Sequence, residues 1–166
     1  MKIVSILSSI LILFAATFFD SGLSSCTKDH TIYDTVTVKD TMLTAEILAA
    51  HPWKILEIRG VIGNSIQYYL RGGSNNTESF DNEYIVFNSN GTGTYVANNV
   101  VQTTTTWHFD NAANNQMTIT FDNTPATFDI VWDNIRYKNS RLYYDEYYTD
   151  GNTGLNAHKQ TIRIPK

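Results

Sequence analysis

Side chains able to do chemistry are few and scattered along this 166-residue chain. The four histidines, His30, His51, His108 and His158, never fall at the short spacings that bring two imidazoles onto one metal ion. The one cysteine, Cys26, permits no internal disulfide and no thiolate zinc site. There is no Gly-x-Ser-x-Gly elbow and no cysteine–histidine pair for nucleophilic catalysis. Asp110 and Asp150-Gly151-Asn152 lack the alternating carboxylates of a calcium loop and read as turns. Glu57, Asp129, Asp145 and Glu146 could supply an acid–base pair for glycoside cleavage, but any β-rich chain offers such pairs. The loop Arg71-Gly72-Gly73-Ser74-Asn75-Asn76 lacks the Lys-Ser/Thr ending of a phosphate cradle. The expectation is therefore no catalysis, no metal and no cofactor. Aromatic rings remain. Tyr137, Tyr143, Tyr144, Tyr147 and Tyr148 lie close together, and Tyr68-Tyr69 adds two more. Tyrosine faces stack on sugars or amphipathic molecules while the hydroxyl keeps a hydrogen bond. Neighbouring tyrosines on a strand point to opposite faces, so one of each pair should face inward. The plainer alternative is that these rings cover a wet β surface and fill a polar-lined interior.

Cys26 has a chemistry of its own. After Met1-Lys2 the chain runs from Ile3 to Phe19 with only Ser and Thr as polar interruptions, a stretch near the lower limit for spanning a bilayer. Leu23-Ser24-Ser25-Cys26 follows, and it resembles the lipobox of bacterial lipoproteins. That resemblance implies that residues 1–25 are a signal peptide and that Cys26 is the lipidation site, acylated with palmitate-like chains after cleavage. Two or three acyl chains anchor stably where one binds only marginally. The protein would then be a lipoprotein of a Gram-negative bacterium, held in the outer membrane on its periplasmic or its outer face. An uncleaved signal anchor with an incidental thiol at Cys26 is the alternative.

Residues 26–42 read as the lipidated cysteine and a Thr-rich tether, extended and without a large apolar cluster. Asp34-Thr35-Val36 and Asp40-Thr41-Met42 resemble the acceptor triplet for periplasmic O-glycosylation, which would place sugars on Thr35 and Thr41. An unmodified linker or an added edge strand fits the same residues. Net charge is −4, the pI is near 5.4 and only 17% of residues are charged, so no basic field exists for nucleic acid.

Residues 43–51 predict one short helix, with Thr44 as N-cap, Ile47 and Leu48 facing the core, and Pro52 ending it. Beyond it the chain reads as strands over 53–59, 65–71, 82–88, 92–97, 101–110, 115–122, 126–133, 141–148 and 157–164. Ser89-Asn90-Gly91, Asn98-Asn99 and Asp150-Gly151-Asn152 supply turns. Met117, Ile119 and Phe121 alternate with polar neighbours, as do Phe128, Ile130 and Trp132, and Trp107 shares a face with Phe109. Eight or nine short strands in succession imply an all-β, up-and-down antiparallel barrel of about eight strands, because closure removes exposed edges.

A short helix, then His51-Pro52-Trp53-Lys54-Ile55-Leu56, then such a meander is similar to the lipocalin-like domains of bacterial lipoproteins. The blocks 84–95, Trp107-His108-Phe109 and Arg141-Leu142-Tyr143-Tyr144 carry the likeness, which covers residues 43–166. It implies a barrel whose mouth binds a small hydrophobic or amphipathic ligand without catalysis. Trp107, Phe109, Phe128, Trp132, Tyr143 and Tyr147 are the expected wall. The likeness also implies that Trp53, on the first strand, stacks against a late arginine, here Arg163, to close the floor. Two rivals stand beside it: a surface module binding glycan or protein through exposed tyrosines and loops, and a structural envelope protein without ligand. Oligomeric state is not legible.

Overall fold

A polar, Thr- and Asn-rich chain with apolar residues at every second position can bury only one face of each strand, so its strands must curl around a shared interior. The computed structural model describes residues 40–123, 126–151 and 153–166. The expected signal peptide, Cys26, His30, Thr35 and most of the tether lie outside the described residues.

Near the start of the described chain, the N–H of Thr41 donates to the carbonyl of Tyr137 at 3.0 Å. Helix α1 (Ala45–Ala49) follows, with Thr44 Oγ1 accepting from the N–H of Ile47 as N-cap. Leu48 is fully buried and Ile47 packs against the same core. Nine strands come next: β1 (Trp53–Ile62), β2 (Ser65–Leu70), β3 (Glu83–Phe87), β4 (Thr92–Ala97), β5 (Val100–Phe109), β6 (Met117–Asn123), β7 (Ala126–Lys138), β8 (Arg141–Thr149) and β9 (Asn156–Pro165). All pair antiparallel with their neighbours, and β9 returns to β1 along most of its length, from Trp53↔Pro165 to Ile62↔Ala157. The ring β1-β3-β4-β5-β6-β7-β8-β9 is thus a closed eight-stranded barrel. It is compatible with a lipocalin-like fold.

β2 is the ninth strand and shares an edge of β1 with β3. β2 pairs with Glu57 to Ile62, while β3 pairs only with Trp53 and Lys54. The segment between them is fastened by Arg71. Its Nε donates to the carbonyl of Ile55, and its two terminal nitrogens donate to the carbonyls of Asp81 and Phe80, at 2.7, 2.9 and 3.0 Å. A bulge in β1 between Ile55 and Glu57 frees that first carbonyl from the ladder.

Turn chemistry follows from residues that tolerate positive φ. Asn98 and Asn99, at φ 52° and 61°, make the β4–β5 hairpin, and Asn139 and Ser140, at 52° and 57°, make the β7–β8 hairpin. Strand β7 continues five residues past the expected end at 133. Asn134, at φ 52°, starts a bulge between Asp133 and Arg136 that reverses the alternation and turns Ile135 inward, 5% exposed.

One half of the barrel is packed solid. Leu43, Leu48, Trp53, Phe87, Trp107, Met117, Ile119, Trp132 and Leu142 form a continuous buried cluster at the end covered by α1. Trp53 Nε1 donates to the Leu48 carbonyl at 2.7 Å, and Asn114 donates to the Leu43 carbonyl at 2.8 Å, which pin the helix over that end. Each fully buried side chain of this size contributes about 1.5–3 kcal/mol. Residues Thr37–Lys166 form one compact unit, and its described part encloses this core within its own closed sheet.

Candidate functional site

The other half of the barrel is hollow. A cavity of about 430 Å³ opens between the β2–β3 segment and the β6–β7 hairpin, a size that suits a small organic molecule. Its two walls differ in chemistry because alternation places different residue types inside. On one side stand Ile85, Phe121, Phe128, Ile130 and Trp132, with Ile55, Ile58 and Phe80 continuing the apolar surface. Phe121 and Phe128 are stacked 5.0 Å apart, and Phe80 meets Tyr69 edge-on at 5.3 Å.

The opposite wall is polar. β8 turns Leu142, Tyr144, Glu146 and Tyr148 inward, and β9 turns Ala157, Lys159, Thr161 and Arg163 inward. The register sets Glu146 directly opposite Lys159, with 3.8 Å between charged atoms and both residues under 10% exposed. The other Glu146 oxygen accepts from Trp132 Nε1 at 3.2 Å. Lys159 Nζ also lies 4.8 Å from the Tyr148 ring centre. Deeper in, Arg163 is 6% exposed; its Nε donates to the Tyr144 hydroxyl at 2.7 Å and one terminal nitrogen donates to the Trp53 carbonyl at 3.0 Å. Near the rim, Tyr95 donates to Glu83.

Electrostatics follow this burial. Burial pushes the phenols of Tyr144 and Tyr95 well above the ordinary tyrosine value, with Glu83 adding to the rise at Tyr95. Burial also raises Tyr148, against the pull of Lys159. Burial alone would lower the Arg163 pKa, but the facing Tyr144, Glu146 and Tyr95 raise it above its ordinary value.

The residues expected to form the wall divide between three places. Phe128 and Trp132 line the cavity. Trp107 and Phe109 belong to the solid half, where Trp107 Nε1 donates to the Thr92 carbonyl and its ring meets Phe109 edge-on at 5.5 Å. Tyr143 and Tyr147 face outward: Tyr143 lies 5.7 Å from Arg136, and Tyr147, 40% exposed, stacks on His158 at 4.5 Å. Their neighbours Tyr144 and Tyr148 take the inward positions. Leu142 carries the phase that would have shown this, because its side chain is fully buried and every second residue after it points the same way. Arg163 does meet Trp53, but through the backbone carbonyl; the ring beneath its guanidinium is Trp132, at 5.4 Å. Thr41 is exposed.

Of the four carboxylates considered for glycoside chemistry, Glu57 and Asp145 line one groove, while Asp129 and Glu146 lie elsewhere. Glu57 pairs with Arg59, Asp129 accepts from Thr120 at 2.6 Å, Asp145 lies 3.7 Å from His158, and Glu146 lines the cavity. Among the described residues no three His, Cys, Asp or Glu side chains converge as a metal centre requires. Compared with protein-family models, curated proteins and solved structures, the chain matches none of them.

Proposed function

We propose that this barrel captures, without catalysis, a small hydrophobic or amphipathic molecule, and that it does so from an outer-membrane lipid anchor at Cys26. The observation that supports capture is the 430 Å³ cavity with one apolar and one polar wall, left beside a core packed tightly elsewhere. An interior meant only for stability would be filled, since a void forfeits dispersion contacts and each polar group inside it has a desolvation cost. Native mass spectrometry of the Thr37–Lys166 unit, purified without detergent, tests the reading. A retained adduct of a few hundred daltons is expected; a bare mass, with no uptake from a lipid extract, refutes it. Anchoring has a separate test. Cys26→Ala should abolish incorporation of radiolabelled palmitate, and continued labelling refutes the lipobox.

A second reading has its own observation. A separate groove of about 510 Å³ is lined by residues that include Glu57, Arg59, Arg136, Tyr143, Asp145 and Gln160. Tyrosine faces beside fixed polar groups are what a glycan-binding surface offers. Binding of soluble glycans that is lost in Tyr143→Ala, with the interior unliganded, would favour this reading.

A further inference from the structure

The bonding of Arg163 is incomplete. A guanidinium has five N–H donors, and among the described residues two of them are used, on the Tyr144 hydroxyl and the Trp53 carbonyl. Among the described residues no carboxylate lies within ion-pair distance of it, although the residue is 6% exposed and lines the cavity. Beside it on the same strand face, Thr161 Oγ1 is buried and makes no hydrogen bond of ordinary length among the described residues; it faces the Tyr144 hydroxyl, and Thr161 also lines the cavity. Tyr144 accepts from Arg163 and so keeps its own proton to donate. Buried cations in proteins are ordinarily paired, and buried hydroxyls ordinarily bonded.

The cavity's own carboxylates are engaged elsewhere. Glu146 is held between Lys159 and the Trp132 indole, and Glu83 accepts a hydrogen bond from the Tyr95 hydroxyl. The open valences at the cavity floor are therefore donors, and they call for a compact group with acceptor oxygens. A carboxylate offers two in the plane that matches a guanidinium fork. From that floor the apolar wall of Trp132, Ile130, Phe128 and Phe121 runs toward the mouth.

We infer, building on the capture reading, that the ligand is a carboxylate amphiphile bound head-inward, its carboxylate on Arg163 and Thr161 and its aliphatic part along the β6–β7 wall. The amphiphile's carboxylate takes up the guanidinium donors left open, adding a contact charge to the more distant one of Glu146.

The test compares laurate with dodecanol, of equal chain length and lacking only the charge, by tryptophan fluorescence of the Thr37–Lys166 unit at pH 8. Trp132 at the cavity floor is the reporter. Laurate should bind at least about tenfold more tightly, because charge-assisted hydrogen bonds are roughly twice as strong as neutral ones. Thr161→Val should weaken laurate several-fold and leave dodecanol unchanged, and Arg163→Met should bring the two affinities together. If Arg163→Met does not fold, the wild-type comparison and Thr161→Val still decide. Equal affinities in the wild type overturn the head-group inference and leave capture standing. Binding of neither, together with a bare mass in native spectrometry, overturns both.

Discussion

Lys159 and Glu146 face each other across the β8–β9 ladder inside the barrel, and removing either one exposes how dry that wall is. At 3.8 Å and an effective dielectric of about 20, their Coulomb attraction is about 4 kcal/mol. Lys159→Met leaves the carboxylate with the Trp132 indole and the more distant charge of Arg163, and should cost about 3 kcal/mol, in the range for breaking a buried pair. Glu146→Gln leaves the ammonium with the Tyr148 ring, whose cation–π contact offsets about 1 kcal/mol, so this change should cost about 2 kcal/mol. The double variant keeps an amide oxygen for the indole and strands no charge. It should therefore lie within about 1 kcal/mol of wild type, less than either single change. Urea unfolding of the Thr37–Lys166 unit at pH 7, followed by tryptophan fluorescence, gives all four corners of the cycle. Single variants each costing under about 0.5 kcal/mol, or a double variant equal to the sum of the singles, would refute the reasoning, because the pair would then behave as solvated surface charges.

Three shorter predictions follow from other parts of the barrel. Ile130→Trp fills the cavity from its apolar wall, so any adduct seen by native mass spectrometry should disappear while the melting temperature holds or rises; an adduct of unchanged occupancy counts against this cavity as its site. At Gly93 a Cβ would stand 2.5 Å from the Val86 carbonyl oxygen and 2.6 Å from Thr105 Oγ1, so Gly93→Ala should destabilise by about 1–3 kcal/mol in urea, and a neutral result would show that β4 can shift. Burial and its hydrogen bond to Asp81 push Tyr69 up to about 12. With the folded value above the unfolded one, Tyr69 adds stability below pH 10 that fades as pH climbs toward 12, and Tyr69→Phe should flatten that fall in an alkaline melting series.

Much of the barrel was legible because alternation and turn residues agree. The expected strands coincide with the observed ones to within a few residues except at β7, where Asn134 carries the chain through a bulge and the apolar phase changes. Thr44 was readable as a cap because its side chain is the one short acceptor before an apolar run. The site was less legible, for a reason visible on β8 and β9. With aromatic residues at 143, 144, 147 and 148, period-two reading gives no unique inner face. On β9 the pattern is inverted: Lys159 and Arg163 turn inward while Ile162 and Ile164 are only half-buried. Hydrophobicity points the wrong way wherever a wall is built to hold polar groups. The usable signal was cross-strand, in the opposite charges of Glu146 and Lys159 at one level and the apolar anchor at Leu142.

The divided edge of β1 also bears on how the interior is reached. Around the rest of the circumference each strand is joined to the next by a ladder of backbone hydrogen bonds, so parting two of them means breaking several at once. Between β2 and β3 the closure is a clasp: one guanidinium holding three carbonyls, with Phe80 hung from it as cavity wall. The Tyr69 hydroxyl bonded to Asp81 and the Tyr69 ring against Phe80 add to that clasp, again through side chains. The wall at β2–β3 is thus closed by side chains where the rest of the circumference is closed by backbone, and it is the one stretch whose closure a side-chain substitution can alter without touching a ladder.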